Sequence, residues 1–399
     1  MMESNETSRK RAFAPLRVAA ERILSIALDT QIRINQVERL TEAGRRNLLL
    51  RCFIDPVKGM PSSFILKKVE AEKFNPDDAE SRNTRRIFND WVGSQFLNRV
   101  SNNHQHSPYF YGGNRHLGLI VIEDVQHHHS LVEPLLGNDR ERAESALLQY
   151  AICLGQLHQD TLGRAAEFHQ LYKTVSPNMK PAKVGVNIPK HQLRLEKLGI
   201  DLEPNCLSDL EAIHQTVSNP DKFLAYIHTD ACPDNVLNTG KEMRLIDFET
   251  SFFGHSFLDA VFGRMMFPSC WCSKRLPNEV VRQMENTYRE ILIQQCPTAE
   301  DDNIFETALV HNCGWWLLCT ISDFLEDALV ADVDFGISTF RQRILARLEA
   351  FITISQECNQ LNGLRGTFSQ LLDLLYQRWS DVPELPFYPA FQSRIINDQ

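Results

Sequence analysis

The sequence predicts an α+β fold with a smaller β-rich N-terminal part and a larger helical C-terminal part. Three short aliphatic runs, separated by turn-forming segments, occupy residues 34–69 and indicate a β meander. Apolar residues then recur three and four positions apart along most of residues 277–379, which is typical of amphipathic helices. The length of 399 residues also exceeds that of one small domain, at roughly 150 residues per domain.

The N-terminal part, residues 13–125, begins with a helical pattern at 14–28 and follows a polar tail, 1–12, that is predicted to be flexible. A second helical pattern covers 85–100, where Phe88, Val92 and Phe96 recur every fourth residue. The predicted strands of this part are 34–40, 47–54, 63–69 and 117–125.

The C-terminal part, residues 126–399, is mainly helical. Its predicted helices are 139–159, 208–217, 277–295, 301–329, 336–356 and 365–379. Ser208 and Glu211 have the spacing of a capping box, in which each side chain accepts from a backbone amide of the first helical turn. One β interruption spans 223–247, and its last two strands are joined by a hairpin turn at 239–241.

Composition and charge exclude several classes of function. With 42 basic and 51 acidic residues the net charge is -9, which argues against nucleic acid as a partner. No apolar run approaches the roughly 18 residues of a membrane-spanning helix, so no membrane partner is expected. Arg17, Glu21 and Arg22 interrupt the stretch that would be apolar in a secretory signal, so no such signal is expected. The ten cysteines form no CxxC pair, so reduced thiols and a cytoplasmic location are expected.

Polar residues that are able to take part in catalysis or metal binding lie close together along the β interruption. Asp230 lies in a loop that leaves an apolar strand, Asn235 ends that loop, and Asp247 ends the returning strand of the hairpin. A carboxylate and an amide oxygen held on a hairpin suit a hard cation such as Mg²⁺. A second carboxylate nearby is able to accept a proton from an attacking hydroxyl, as phosphoryl transfer requires.

This segment resembles the aminoglycoside phosphotransferase and choline kinase family of small-molecule kinases. The resemblance consists of His228, Asp230 and Asn235 at the family's spacing, followed by the hairpin and the run Ile246–Glu249. It implies a bilobal protein-kinase-like fold that binds ATP and Mg²⁺ between its lobes. Glutamate, instead of glycine, follows Asp247-Phe248, and this favours small-molecule kinases over protein kinases.

The resemblance extends to the N-terminal part and implies four cofactor-binding residues: Lys67, Asp90, Glu123 and Val125. Lys67 matches the lysine that reaches the nucleotide phosphates, and strand alternation places its neighbour Lys68 on the other face. Asp90 matches the carboxylate partner of that lysine. Glu123 and Val125 end the strand that leads to the adenine-binding hinge.

Two departures from the family pattern concern these nucleotide-binding residues. Asp90 stands where the family usually has glutamate, and its shorter side chain leaves a strained or water-bridged ion pair with Lys67 as the expectation. The loop 41–47, where a glycine-rich phosphate loop is expected, holds only Gly44.

The sequence therefore predicts a phosphotransferase that moves the γ-phosphoryl group of ATP to a hydroxyl of a small molecule, such as an aminoglycoside, choline, a sugar or an amino alcohol. Asp230 is the predicted catalytic residue, and Asn235 and Asp247 are the predicted magnesium ligands. The alternative is a catalytically inactive kinase-like protein that binds a nucleotide or another ligand as a regulator. The departures at Asp90 and Gly44 keep that alternative open.

Overall fold

The computed structural model describes residues 13–392 except residues 43, 72, 102, 103, 179 and 181. The predicted tail, 1–12, lies outside the described residues. The chain divides into two compact units. The first unit comprises the described residues of 1–128, 166–181 and 244–251, and the second unit comprises those of 129–165, 182–243 and 252–399.

The strands are short, and five of them form one sheet. In chain order they are β1 (Ile34–Arg39), β2 (Asn47–Ile54), β3 (Ser63–Val69), β4 (Phe110–Asn114), β5 (Leu119–Glu123), β6 (His129–Ser130), β7 (Leu224–Ile227), β8 (Val236–Asn238), β9 (Met243–Leu245), β10 (Phe252–His255), β11 (Asp334–Phe335) and β12 (Ser338–Thr339).

The helices make up most of the remaining structure. In chain order they are α1 (Ala14–Ala27), α2 (Arg82–Val100), α3 (Val132–Leu136), α4 (Arg140–Thr161), α5 (Ala165–Val175), α6 (Ile188–Lys197), α7 (Cys206–Ser218), α8 (Phe257–Ala260), α9 (Asn278–Leu292), α10 (Asp302–Val330), α11 (Phe340–Glu357) and α12 (Asn362–Arg378). Among the described residues, no helix has the length and apolar character needed to cross a membrane.

The first unit is built on an antiparallel five-stranded sheet with the order β1-β2-β3-β5-β4. Residues of β2 alternate between buried and half-buried, because successive side chains point to opposite faces of a strand. One face of the sheet packs against α1 through Leu16, Ala20 and Leu24. Strand β3 is central, and Lys67 on it pairs with Leu49 of β2 and Ile120 of β5.

Helix α2 brings polar side chains into the first unit beside this sheet. The helix begins at Arg82 because the Ser81 side chain accepts a hydrogen bond from the Thr84 amide, a typical N-cap. The helix buries an apolar face with Phe88, Val92 and Phe96, and on another side it buries Asp90 beside Ile87 and Leu97. A charged side chain buried among such residues is costly unless it is paired.

The second unit is a helical assembly that also holds several short strands. Helix α4 packs against α9, and α10 packs against α7 and α11. Strand β7 pairs with β10, β6 with β8 and β11 with β12, all antiparallel. The Arg347 side chain on α11 is buried and donates to the carbonyl oxygens of Met265 and Pro268. It thereby attaches the helix to the chain that follows α8.

The predicted α+β class, with a β-rich first part and a helical second part, is confirmed. The capping box predicted at Ser208 and Glu211 is wrong, because α7 begins two residues earlier, at Cys206. Ser208 is therefore a residue within the helix, and its hydroxyl donates to the Asn205 carbonyl. Strand β4 and helices α5 and α6 were not predicted.

Candidate active site

Lys67 is the centre of a charged cluster inside the first unit. Its Nζ atom lies 2.6 Å from Asp90 Oδ2, 2.6 Å from Asp247 Oδ1 and 3.1 Å from Glu249 Oε1. The Lys67 residue is 6% exposed, whereas Lys68 is half-buried and donates to the Val69 carbonyl. The alternation of β3 therefore directs Lys67, and not Lys68, toward the carboxylates.

Asp90 meets Lys67 directly, although its side chain is one methylene shorter than glutamate. Its second oxygen, Oδ1, accepts a hydrogen bond from the Phe248 amide at 3.1 Å. The carboxylate therefore holds both the lysine and the backbone of the segment that carries Asp247. The contact is a direct one of 2.6 Å, and not a water-bridged pair.

The segment after β9 supplies the other two carboxylates. Asp247 has a left-handed backbone with φ 69° and ψ 59°, a conformation that aspartate adopts more readily than most residues. A single 3₁₀ turn, Phe248–Thr250, follows and directs Glu249 inward, where its side chain is 5% exposed. The Glu249 carboxylate accepts from Arg46 Nη2 at 2.5 Å and from the Asn47 side chain. Glu249 was not among the predicted site residues, yet its carboxylate contacts Lys67 as well as Arg46 and Asn47.

Burial and charge act against each other in this cluster. Burial alone lowers the pKa of Lys67, but the carboxylates of Asp90, Asp247 and Glu249 more than offset it, so the pKa stands above its ordinary value. Burial raises the pKa of the Asp90 carboxyl, although Lys67 pulls the other way. Lys67 therefore remains an ammonium ion with three acceptors for its three N–H donors.

The cluster also has the composition of a cation site. One ligand oxygen from each of Asp90, Asp247 and Glu249 lies within 4.8 Å of the others. Carboxylate oxygens are the ligands that Mg²⁺ prefers in proteins, so the side chains present fit that ion. Of the predicted magnesium ligands, Asp247 belongs to this cluster, and Asn235 belongs to the second unit.

In the second unit, the loop between β7 and β8 holds Asp230 and Asn235 together. Asn235 Nδ2 donates to the Asp230 carbonyl at 2.9 Å and lies 3.4 Å from Asp230 Oδ2. Asp230 is half-buried. The Tyr150 hydroxyl donates to the Ala231 carbonyl at 2.8 Å, and this contact fixes the middle of the loop.

Asp259 fixes the start of the same loop and was missed by the sequence analysis. Its carboxylate is fully buried and accepts from the amides of His228 at 2.6 Å and Thr229 at 2.8 Å. His158 Nε2 lies 3.3 Å from the same group. The sequence does contain a signal, because Asp259 interrupts the otherwise apolar run Phe257–Phe262, and a buried carboxylate needs partners.

A disulfide joins Cys232 of this loop to Cys270, so the expectation of reduced thiols is wrong for this pair. The two cysteines are 38 residues apart, and Cys232 Sγ lies 3.1 Å from Asp230 Oδ1. The bond therefore joins the chain beside the predicted catalytic residue to the segment that follows α8.

Reducing this disulfide is expected to destabilise the second unit by about 4 kcal/mol, because closing a loop of this length restricts the unfolded chain. The measurement is the melting temperature with and without dithiothreitol. The matched control is Cys270→Ser, whose melting temperature should not respond to the reductant. A thiol titration of the denatured, unreduced protein should find eight free cysteines. A count of ten would contradict the bond.

The predicted hinge residues lie at the end of β5 in the first unit. The Glu123 carboxylate accepts from Arg244 Nη1 at 3.0 Å, from Gln105 and from the Tyr109 amide, so it is engaged within the unit. Val125 is 7% exposed, and its carbonyl oxygen lies 2.7 Å from His128 Nδ1. The roles of both residues in nucleotide binding stay predictions.

Comparison with known proteins finds similarity only at the level of structure. The chain matches no family model. It also matches no curated protein. A choline kinase from Cryptosporidium parvum is 15% identical, with a TM-score of 0.48, and the alignment covers 83% of this chain and 93% of that one.

Two further solved structures are a choline/ethanolamine kinase family protein from Mesorhizobium loti and a macrolide 2'-phosphotransferase from Brachybacterium faecium. The first is 13% identical, with a TM-score of 0.45 and coverage of 83% and 93%. The second is 13% identical, with a TM-score of 0.38 and coverage of 77% and 96%. These proteins belong to the group that the sequence resemblance names. At these identities and TM-scores the likeness says nothing of what this chain acts on.

Proposed function

We propose that this chain is a phosphotransferase that moves the γ-phosphoryl group of ATP, with Mg²⁺, to a hydroxyl group of a small molecule. The observation that supports it most strongly is the ion-pair cluster that the buried Lys67 forms with Asp90, Asp247 and Glu249. Burying one ammonium ion with three carboxylates costs desolvation energy that apolar side chains in their place would avoid. Such a cluster is useful where a polyphosphate and its metal ion have to be bound together.

Each residue in this proposal has one role. Lys67, held by Asp90, binds the α- and β-phosphates, and Asp247 is a magnesium ligand, with Asn235 as the second predicted ligand. Mg²⁺, when bound, neutralises charge on the phosphates as the bond to the leaving group breaks. Asp230 orients the acceptor hydroxyl and takes its proton as the new P–O bond forms. Asp259 holds the amides that precede Asp230 and is a positioning residue.

The experiment measures ATP consumption with Mg²⁺ over a panel of acceptors. The panel contains choline- and ethanolamine-like amino alcohols, sugars, macrolides and aminoglycosides, and the Asp230→Asn variant serves as the blank. We expect one acceptor class to give ADP with the wild type only. Analysis of the product by mass spectrometry should then find one added phosphoryl group on that acceptor.

Binding measurements separate this proposal from the regulator alternative. An enzyme and a nucleotide-binding regulator would both be stabilised thermally by ATP with Mg²⁺, because a ligand that binds only the folded state raises the apparent stability. Stabilisation without turnover on any acceptor favours the regulator. The absence of both stabilisation and turnover would overturn the assignment of a nucleotide site.

A further inference from the structure

Arg46 lies at the rim of the Lys67 cluster and has no role in the proposal above. It ends the loop between β1 and β2, and its Nη2 atom lies 2.5 Å from Glu249 Oε2. The Arg46 side chain is 45% exposed, whereas that of Glu249 is 5% exposed. The guanidinium group is therefore held at one end by a buried carboxylate and is open to solvent elsewhere.

The loop that ends at Arg46 is poorly suited to bind phosphate through its backbone. A phosphate-binding loop needs several amides that approach the ligand closely, and glycine permits this approach. Between β1 and β2 the only glycine is Gly44, which has φ 87°. A guanidinium group offers the alternative, because its planar set of N–H donors matches the geometry of phosphate oxygens.

Cationic side chains of the chain itself lie close to the carboxylates around Glu249. Lys67 Nζ lies within 3.1 Å of an oxygen of Asp90, Asp247 and Glu249, and Glu249 Oε2 also lies 2.5 Å from Arg46 Nη2 and 3.9 Å from Arg86 Nη1. Three cationic side chains thus lie against this group of three carboxylates. A divalent cation bound to these carboxylates would add two positive charges. The attraction between the carboxylates and the cationic side chains would then be weaker, and one of these side chains would be free to move away. Arg86 is 15% exposed, so Arg46, at 45%, is the cation with room to turn away.

We propose that Arg46 is a phosphate-binding residue for the nucleotide, which Glu249 holds in the absence of the nucleotide and releases when ATP and Mg²⁺ bind. The released guanidinium group donates hydrogen bonds to the β- and γ-phosphate oxygens. These hydrogen bonds replace those that backbone amides donate in a glycine-rich loop. This inference rests on the proposed function, because it concerns the same nucleotide. It adds a specific contact that the family resemblance did not provide.

The experiment measures the affinities of ATP, ADP, AMP and adenosine by isothermal titration calorimetry with Mg²⁺ present. We expect Arg46→Ala to weaken ATP binding by about 10- to 100-fold, since it removes charge-assisted hydrogen bonds. The loss should shrink as phosphates are removed and should vanish for adenosine. The matched control is Arg45→Ala, because the Arg45 side chain is 71% exposed and lies 3.9 Å from Glu42. The affinity of the Arg45→Ala variant for ATP should stay within about twofold of that of the wild type, as expected for an exposed surface pair.

Three outcomes would overturn the role of Arg46. If Arg46→Ala binds ATP as the wild type does, Arg46 does not contact the phosphates. If it weakens ATP and adenosine equally, or if a tenfold increase in Mg²⁺ restores ATP affinity, Arg46 acts only by holding Glu249 in place. All three outcomes require that the wild type binds ATP. A wild type that binds no nucleotide contradicts the proposed function itself, so the two failures are distinguishable.

Discussion

Replacing Asp230 with asparagine is expected to lower kcat by about 100- to 10,000-fold, the range that general base catalysis contributes. Asparagine has nearly the same shape, so the contacts of the loop with Asn235 and Tyr150 should survive. It is unable to take the proton of the acceptor hydroxyl. The affinity for ATP with Mg²⁺ should therefore remain close to that of the wild type, and the measurement is steady-state kinetics together with calorimetry.

The matched control for this prediction is Asp234→Asn. Asp234 belongs to the same loop, is exposed, and accepts a hydrogen bond from Trp271 Nε1 at 2.9 Å. An asparagine there keeps an oxygen acceptor, so kcat should change by no more than about twofold, as for most surface substitutions. A wild-type rate in Asp230→Asn would remove Asp230 from the role of base. Equal losses in both variants would indicate that the loop responds to any change of charge.

Replacing Lys67 with methionine is expected to destabilise the first unit by about 3–5 kcal/mol, because it leaves buried carboxylates without their cation. The Lys67 and Asp90 side chains are 8% and 5% exposed, so water does not substitute for the lost ammonium group. Binding of ATP with Mg²⁺ should fall at the same time. Urea unfolding and calorimetry measure the two effects.

Lys68→Met is the matched control, because Lys68 is the half-buried neighbour on the opposite face of β3. It should change neither stability nor ATP affinity by a comparable amount. The double variant Lys67→Met, Asp90→Leu should recover part of the lost stability, since it removes both charges of the closest pair, but it should not recover ATP binding. If Lys67→Met retains full stability, the cluster is not the charged network described above.

The sequence predicted the elements of the first unit well wherever an aliphatic run stood between turn-forming segments. Strands β2 and β3 have the predicted bounds, and β1 differs by one residue. Strand β4 was missed because Gly112 and Gly113 weaken its pattern. The structure supplies the reason for the second of these glycines, since a Cβ at Gly113 would lie 2.4 Å from the ring of Trp91.

The site was predictable in part. Lys67 followed from strand alternation together with the resemblance, and Asp90 from the resemblance and its helical position. The contact between Glu249 and Arg46 could not be predicted, because the two residues are 203 positions apart and no local pattern encodes such a contact. The capping box at Ser208 failed for the opposite reason: a short polar pattern occurs by chance inside a helix whose start Asn205 determines with a φ of 69°.

The order in which the ribosome makes this chain has a consequence for the Lys67 cluster. Lys67 and Asp90 are synthesised early, but Asp247 comes 180 residues after Lys67. At about 5–20 residues per second, the nascent chain spends roughly 10 to 40 s without the segment that completes the cluster. During that time Lys67 has Asp90 but neither Asp247 nor Glu249. A truncated protein ending before residue 244 would keep this incomplete arrangement permanently, so the β-rich part alone is an unsuitable fragment for nucleotide-binding studies.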